Sequence, residues 1–198
     1  MKEDKRIIEG CLAGKRGAFE ELLEKYKSKV YSICLRMVRN PTDAEDIAQE
    51  VFVRVFSALD RYDPSFPFSS WLYRITSNMC IDFIRKTKDR PVSIDKPLSG
   101  DDGEYAFQLP SDGAGPDRNV QAREMISILE EALARLPERY RMIVILRHEE
   151  QLSYEEISES LGIPIGTVKA RIHRARNMIK EFFAKKGLIE DLLEMGDE

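Results

Sequence analysis

The sequence predicts an all-α protein with two small helical domains joined by a flexible acidic linker, the second domain carrying a helix-turn-helix. On both sides of residues 91–117, apolar residues recur at spacings of three and four, and the β-branched residues lack the alternation typical of strands. The chain has 198 residues, 42% of them hydrophobic. This length allows one ordinary domain or two small ones, and the composition excludes a disordered or collagen-like chain.

The linker (91–117) is marked by a shift in composition. It contains four of the nine prolines, four of the eleven glycines, and six acidic residues against one lysine. Self-repulsion is therefore expected to keep it extended, and fully stretched it spans about 90 Å. We place a first domain at 1–90, a second at 118–186, and an acidic tail without assigned function at 187–198. The sequence leaves open whether the linker is a passive tether or has an active role.

In the first domain, a long apolar stripe predicts a helix that ends at Asn40, and Pro41 opens the next helix. That next helix carries acidic residues in its first turn, where the helix dipole favours them. A third helix is expected to begin with Ser69 or Ser70 as its N-cap. The residues predicted to face the core from the second and third of these helices are Ala44, Ile47, Ala48, Val51, Val55 and Leu59, and Trp71, Leu72, Ile75, Met79 and Phe83.

The outer face of the helix that Pro41 opens combines acceptor side chains with apolar ones. Asp46, Gln49 and Glu50 surround Val53, with Phe56 at the margin. A small apolar spot rimmed by polar groups is typical of a docking face for another protein. A solvated helix with one incidental exposed valine is the alternative interpretation.

The segment 61–90 has a net charge of +3 and begins with an aromatic-rich loop that contains Tyr62, Phe66 and Phe68. Arg74, Asn78 and Arg85 share one face of its predicted helix. Aromatic rings beside arginine and amide groups suit single-stranded nucleic acid, because bases stack on rings and amides read base edges. The alternative places the rings in the core and the arginines in solvent.

The second domain has helical patterns near 119–135, 138–149, 153–161 and 165–185, and the last two form a helix-turn-helix with Gly162 at its turn. From Gly166 to Lys186 there are seven basic residues and one acidic residue, a net charge of +6 in a chain whose net charge is −4. Such segregation predicts a DNA-reading helix, whose short residues Gly166 and Thr167 let the backbone approach phosphate. The overall charge predicts weak DNA binding by the protein alone.

Metal, membrane and secretory functions find no support in the sequence. Cys11, Cys34 and Cys80 are far apart in apolar stretches, which favours reduced core thiols over disulfides or a zinc site. With only His148 and His173 besides, we expect no metal site and no cofactor. The chain has no apolar run of membrane-spanning length, and its first residues do not resemble a signal peptide, so we expect a cytoplasmic protein.

Three segments, in this order, resemble the bacterial extracytoplasmic-function (ECF) sigma factors: NPTDAEDIAQEVFVRVF, FSSWLYRITSNMCIDFIRK and LSYEEISESLGIPIGTVKARIHRAR. The resemblance covers nearly the whole chain. It implies a two-domain, all-helical initiation factor that binds core RNA polymerase and promoter DNA, both as duplex and as melted strand. It also implies no enzyme activity of its own and no small-molecule substrate. Most members of the family are held inactive by an anti-sigma factor, and we expect such a partner here.

The resemblance also assigns residues, position by position. It implies that the linker threads towards the RNA exit path of the polymerase. In the minus-ten set, Asn78 is expected to make the amide contact with a flipped base, and Trp71 to pack. The polymerase-docking residues are Asp46, Gln49, Glu50, Phe52, Val53 and Phe56; the minus-ten residues are Arg61, Phe66, Phe68, Trp71, Arg74, Asn78, Arg85 and Lys86; the minus-thirty-five residues are Thr167, Lys169, Arg171, His173, Arg174 and Arg176.

Parts of the sequence are also compatible with two other functions, a conventional DNA-binding regulator and a small hydrolase. A conventional helix-turn-helix regulator would dimerise and carry a sensor domain, but the first half shows neither a βα pattern nor a heptad seam. A small metal-dependent hydrolase would use Asp43, Glu45 and Asp46. The helix dipole alone explains these carboxylates, and no second cluster is expected to face them.

Overall fold

The computed structural model describes residues 2–88 and 116–188, with side chains from 3–88 and 125–188. Every regular element within these ranges is helical, which confirms the predicted all-α class. Most of the proposed linker and the tail beyond Leu188 lie outside the described residues. The helices are α1 (Lys2–Leu12), α2 (Ala18–Val38), α3 (Pro41–Ser57), α4 (Phe68–Lys88), α5 (Pro116–Arg135), α6 (Glu138–His148), α7 (Tyr154–Leu161) and α8 (Ile165–Lys186), with a short 3₁₀ helix at Leu59–Arg61.

Local signals fix several helix ends. Asn40 caps α3, its side chain accepting a hydrogen bond from the Asp43 backbone N–H at 3.0 Å, and Pro41 takes the first helical position. Ser153 and Glu156 form a capping box at the start of α7. Gly162 ends α7 with φ 63°, a left-handed conformation that glycine adopts without steric cost.

Two predictions about α4 were wrong. The helix begins at Phe68, so Ser69 and Ser70 lie inside its first turn rather than at the N-cap, and the backbone N–H of Ser70 donates to the Pro67 carbonyl. The predicted apolar face is also displaced. Of that stripe only Leu72 is fully buried, because α2 and α3 cover one side of α4 and α7 covers another. The fully buried residues of α4 are Phe68, Ser70, Leu72, Tyr73, Thr76, Ser77 and Cys80.

The core stripe predicted for α3 is confirmed, and all six of its residues are buried. The three cysteines are buried free thiols, as expected, with the sulfurs of Cys34 and Cys80 at 3.7 Å. None of the described helices is both long and apolar enough to span a bilayer. Among the described residues, no three His, Cys, Asp or Glu side chains are grouped so as to hold a metal ion.

The two halves of the chain pack on one another through a shared hydrophobic core. Met142, Ile143 and Leu146 of α6 and Ile157 of α7 belong to the same buried cluster as the residues of α2, α3 and α4. α7 lies along α4, and α6 contacts α2. A separate small cluster, Ala132 with Phe182 and Phe183, joins α5 to α8.

Polar groups reinforce this packing at the turn between α6 and α7. Arg36 of α2 approaches Glu149 to 2.6 Å, Tyr73 of α4 donates its hydroxyl to Glu150 at 2.5 Å, and Lys29 lies 3.5 Å from Glu150. We name this group of five side chains the carboxylate clasp. Burial raises the pKa of Glu149 to about 7; Arg36 lowers this pKa and Glu150 raises it. Burial and the bond to Glu150 also raise the pKa of Tyr73.

Candidate functional site

The outer face of α3 keeps its predicted composition. Asp46, Gln49 and Glu50 are exposed, and Val53 is 60% exposed between them. Glu50 lies 3.7 Å from Arg54, an exposed pair of small energetic weight. The face is therefore an apolar spot rimmed by acceptors, whose solvent-exposed carboxylates can meet a basic partner.

Two aromatic residues of α3 occupy different environments. Phe52 is buried at 6% exposure, so it lies in the core and not on the outer face. Phe52 is therefore not on the docking face to which the sequence assigned it. The buried side of α3 is wide enough to include Phe52 as well as Val51. Phe56 is half-buried and packs edge-on against Phe19 at a ring-centroid distance of 4.8 Å. It marks the edge of the outer face, as expected.

A concave surface lies at the start of α4. We name it the aromatic notch. Phe66 is 50% exposed there, and the loop that carries it is held by Tyr62, whose hydroxyl donates to the Phe66 carbonyl. Trp71 is half-buried against Tyr62, at a centroid distance of 5.5 Å, in agreement with the expectation that it packs. The notch is lined by Tyr62, Asp63, Phe66, Ser70, Trp71, Arg74 and Glu159.

Phe68 does not belong to this exposed surface. It is 2% exposed, and its ring packs edge-on between Tyr26 and Tyr62 at 5.4 and 5.5 Å. Its inclusion among the minus-ten residues is therefore corrected. The aromatic ring of Phe68, which suggested a base contact, instead fills the core beneath the loop.

The helix α7 borders the aromatic notch from the second half of the chain. Glu159 lines it, and the guanidinium of Arg74 lies 3.2 Å from the point that a side-chain carbon on Gly162 would occupy. Asn78 is exposed one turn further along α4. Arg85 lies 3.7 Å from Glu138 of α6, eleven residues and about 17 Å along the helix from Arg74.

The structure divides the predicted minus-ten residues into separate groups. Phe66, Trp71 and Arg74 meet at the aromatic notch. Arg85 and the exposed Lys86 lie at the far end of α4 and belong to another part of the surface. Arg61 is exposed at the end of the 3₁₀ helix.

The basic face of α8 forms a third exposed surface. Thr167 and Arg171 are half-buried near its start, and the Thr167 backbone N–H donates to Pro164 at 2.8 Å. His173 lies 3.4 Å from Asn177, one turn further along the helix. The exposed members of the face are Lys169, His173, Arg174, Arg176 and Asn177.

Known families match both halves of the chain. The model of Sigma-70 region 2 matches residues 22–90, and that of Sigma-70 region 4 matches residues 126–179. The chain is 39% identical over 178 residues to the ECF RNA polymerase sigma factor SigW of Bacillus subtilis, covering 89% of this chain and 95% of SigW. The chain belongs to the ECF sigma factors. The ECF RNA polymerase sigma-E factor of Escherichia coli is 34% identical over 181 residues, covering 89% of this chain and 92% of the relative.

Solved structures share the fold of this sigma factor. CnrH in complex with the cytosolic domain of CnrY superposes with a TM-score of 0.66 at 23% identity, over 92% of this chain and 97% of CnrH. The sigma factor RpoE of Bartonella quintana, in complex with the anti-sigma factor NepR, gives a TM-score of 0.61 at 21% identity, over 85% and 98% of the two chains. Helical pairs of domains are thus common to this sigma factor and its structural neighbours.

Sequence reasoning missed two features of the sigma factor. Arg139 and Tyr140 of α6 lie beside the start of α8, and Glu149 and Glu150 lie between the two halves. The run of basic and aromatic residues around Tyr140 is the sequence signal that could have pointed to the surface formed with α8. Helical periodicity did not find it, because periodicity shows which face is buried and not which helices meet.

Proposed function

We propose that this ECF sigma factor binds core RNA polymerase and directs it to promoters through three separate surfaces. One observation carries the proposal: in a chain that matches both sigma regions, the basic face of α8 is exposed although the whole protein is acidic. A local concentration of positive charge on α8 thereby overcomes the net repulsion between this acidic protein and nucleic acid. The polymerase supplies affinity, and this chain supplies the choice of sequence.

The outer face of α3 is the proposed docking surface for the polymerase. Its exposed Val53 provides the apolar centre, and Asp46, Gln49 and Glu50 provide a rim that complements a basic partner. Phe56 extends the apolar part at one edge. Phe52 contributes only by supporting the helix from the core.

The aromatic notch and the neighbouring face of α4 are proposed to capture melted minus-ten bases. Phe66 offers an exposed ring for stacking, Arg74 a cation, and Asn78 an amide that can read a base edge. Stacking contributes about 1–3 kcal/mol per base, which favours the melted strand without any hydrolysis. Arg61, Arg85 and Lys86 are proposed to contact phosphates.

The first turns of α8 are proposed to enter the major groove at the minus-thirty-five element. Lys169, Arg171 and Arg174 read base edges, since arginine and lysine pair with guanine. Thr167 approaches the backbone, and His173 and Arg176 lie on the same helix further along. We propose that residues 91–117 tether the two DNA-reading domains, with the first domain at 1–90 and the second at 118–186.

The protein is proposed to act in the cytoplasm, as a binding factor without catalytic activity of its own. One structural neighbour is a sigma factor in complex with an anti-sigma factor, and we propose that this chain also has an anti-sigma partner. Co-purification with the products of neighbouring genes tests this proposal. Failure of every such product to bind would contradict it.

Run-off transcription tests the main proposal. Purified core RNA polymerase is given a pool of genomic promoter fragments with and without this protein, and we expect start sites that require it. Arg171→Ala should cost about 1–3 kcal/mol of promoter discrimination while polymerase binding persists. Asp46→Ala with Gln49→Ala should do the reverse. A folded protein that yields no new transcript with active polymerase would overturn the proposal in favour of a conventional DNA-binding regulator.

A further inference from the structure

A second concave surface in the region 4 half lies between the first turn of α6 and the start of α8. We name it the arginine notch. It brings three guanidinium groups from two helices together with one phenol, and none of its lining residues is a carboxylate. The lining residues are Arg139, Tyr140, Gly166, Thr167, Ala170, Arg171 and Arg174.

The three arginines converge on Tyr140. The guanidinium of Arg139 lies 5.3 Å from the centroid of its ring, and the nearby Arg174 lowers the pKa of Tyr140. The charges of Arg139, Arg174 and Arg171 lower this pKa further. The phenol hydroxyl of Tyr140 can donate a hydrogen bond to an oxygen anion in the notch.

Two other basic side chains of this half have an acidic partner. Arg135 and Lys186 both reach Glu131, at 2.9 and 2.6 Å. Glu138, which precedes Arg139, is paired with Arg85 and Lys88 of α4 at 3.7 and 3.4 Å. The acidic residue nearest in sequence to the arginine notch is thus used elsewhere, and the clustered cations there lack a compensating anion among the described residues.

We propose that the arginine notch binds a backbone phosphate of promoter DNA beside the minus-thirty-five element, with Arg139 and Tyr140 of α6 as phosphate ligands. The inference rests on the proposed function and extends it to a second helix. A phosphate fits because it has oxygen acceptors and a full negative charge, whereas the acceptors on a guanine edge are neutral. The first turns of α6 and α8 both border the notch, and their dipoles favour the same charge.

This contact sets the register of α8 in the groove and does not itself read sequence. Phosphate contacts position a recognition helix, and base contacts by the exposed residues of α8 give specificity. Arg139 therefore influences affinity and its salt dependence equally on every promoter. Arg171 and Arg174 combine the two roles, since they lie on both the notch and the recognition helix.

The experiment measures equilibrium binding of holoenzyme to promoter fragments found by run-off transcription, across a range of salt concentrations. For Arg139→Gln we expect about fivefold to tenfold weaker binding on every fragment, and a slope of log K against log salt smaller by about 1. Arg139→Lys should restore most of the slope. Tyr140→Phe keeps the ring under Arg139 and removes only the hydroxyl, so a smaller uniform loss is expected.

Arg16→Gln is the matched control, because Arg16 is exposed between α1 and α2 and the change removes the same charge. Circular dichroism establishes that each variant is folded. If Arg139→Gln behaves like Arg16→Gln while Arg171→Ala still weakens binding, the notch assignment is overturned and the proposed function stands. A change in the preferred minus-thirty-five sequence would also overturn it, since that result indicates a base contact.

Free inorganic phosphate is a second source of the same ligand chemistry. Calorimetric titration of the protein with inorganic phosphate, without DNA, separates the two sources. Tight phosphate binding that Arg139→Gln abolishes, with unchanged promoter binding by the same variant, would assign the notch to a free anion and overturn the DNA contact. If wild-type holoenzyme shows no promoter preference at all, the proposed function itself has failed.

Discussion

Arg141 joins the two halves of the chain through backbone carbonyl groups. Its guanidinium donates to the carbonyls of Leu133, Ala134 and Leu136 around the α5–α6 junction, and to Met37 at the end of α2 at 2.6 Å. Helix C-termini leave carbonyls without intrahelical partners, so this one half-buried cation satisfies several of them at once. Arg141 thus has a structural role, whereas Arg139, Arg171 and Arg174 are proposed to bind DNA.

Replacement of Arg141 by Met should therefore be costly. The hydrogen bonds to a charged donor are lost and buried carbonyls are left unpaired, so the free energy of unfolding should fall by about 2–4 kcal/mol. Urea titration followed by circular dichroism measures the change. Arg16→Met, at an exposed position, should change it by less than about 0.5 kcal/mol. Equal losses in the two variants would contradict the role assigned to Arg141.

Glu149 makes the packing of the two halves sensitive to pH. Its side chain is mostly buried and faces Arg36 and Ser32 of α2 on one side and Glu150 on the other, and its pKa of about 7 lies above the ordinary value of 4.5. A raised folded-state pKa means that the folded form binds the proton more tightly. The contribution of Glu149 is thus fully present below about pH 4.5 and is lost as pH rises through 7.

Glu149→Gln should remove this dependence. Between pH 4.5 and 8 the wild type should lose up to about 3 kcal/mol of unfolding free energy relative to the variant. Urea titrations of both proteins at several pH values measure the difference, in which the other carboxylates cancel. A constant difference across this range would show that Glu149 keeps an ordinary pKa in the folded protein.

At the scale of elements, α7 offers two serines in contrasting roles. Ser153 caps the helix, whereas the hydroxyl of Ser160 is buried and has no hydrogen-bond partner among the described residues. Ser153→Ala should lower the unfolding free energy by about 1 kcal/mol. Ser160→Ala should be neutral or stabilising by up to about 1 kcal/mol, because an unpaired hydroxyl is removed and alanine favours the helix. Thermal unfolding of the two variants tests the contrast, and a larger loss at Ser160 would refute it.

How far the sequence predicts an element depends on how many neighbours the element has. α3 and α7 have clear caps, and the single buried stripe of α3 was predicted in full. α4 packs against helices of both halves, so its buried residues cover more of its surface than one stripe. The sequence therefore predicts a DNA contact for Phe68, although this residue lies in the core. The sequence does not predict α1 clearly, because its buried apolar side is short and consists of Ile7, Ile8 and Cys11.

The surfaces were predicted best where one helix supplies them. The exposed basic face of α8 and the acidic face of α3 follow from helical spacing alone. The arginine notch and the carboxylate clasp each need side chains from two or more helices. Their formation depends on tertiary packing, which the spacing of residues along one chain does not encode.

At the scale of the whole molecule, the carboxylate clasp and the aromatic notch lie along the same contact between α4 and the second half. Glu150→Lys would remove the acceptor of Tyr73 and place an ammonium group beside Lys29, so it should separate the halves. We expect a larger radius of gyration by small-angle X-ray scattering. A single-stranded oligonucleotide carrying the minus-ten sequence should bind at least about threefold more tightly, because the notch is then uncovered.

Glu155→Lys is the control for this change. Glu155 is exposed on α7, and the substitution alters net charge equally without touching the clasp. Any gain in oligonucleotide affinity that both variants share is due to charge alone. An expanded Glu150→Lys protein whose affinity matches that of Glu155→Lys would show that closure leaves the notch accessible.

With the aromatic notch as the proposed strand site, the close approach of Gly162 to Arg74 makes the second half of the chain a competitor for the melted strand, tethered to the site it covers. Such a competitor is present at a fixed ratio of one to one in every molecule, so making more of the protein does not dilute it. Overproduction can titrate away a separate inhibitor but leaves this closed fraction unchanged. Release must come from something that binds the open form better, and the energy of that binding sets how completely the strand site is exposed.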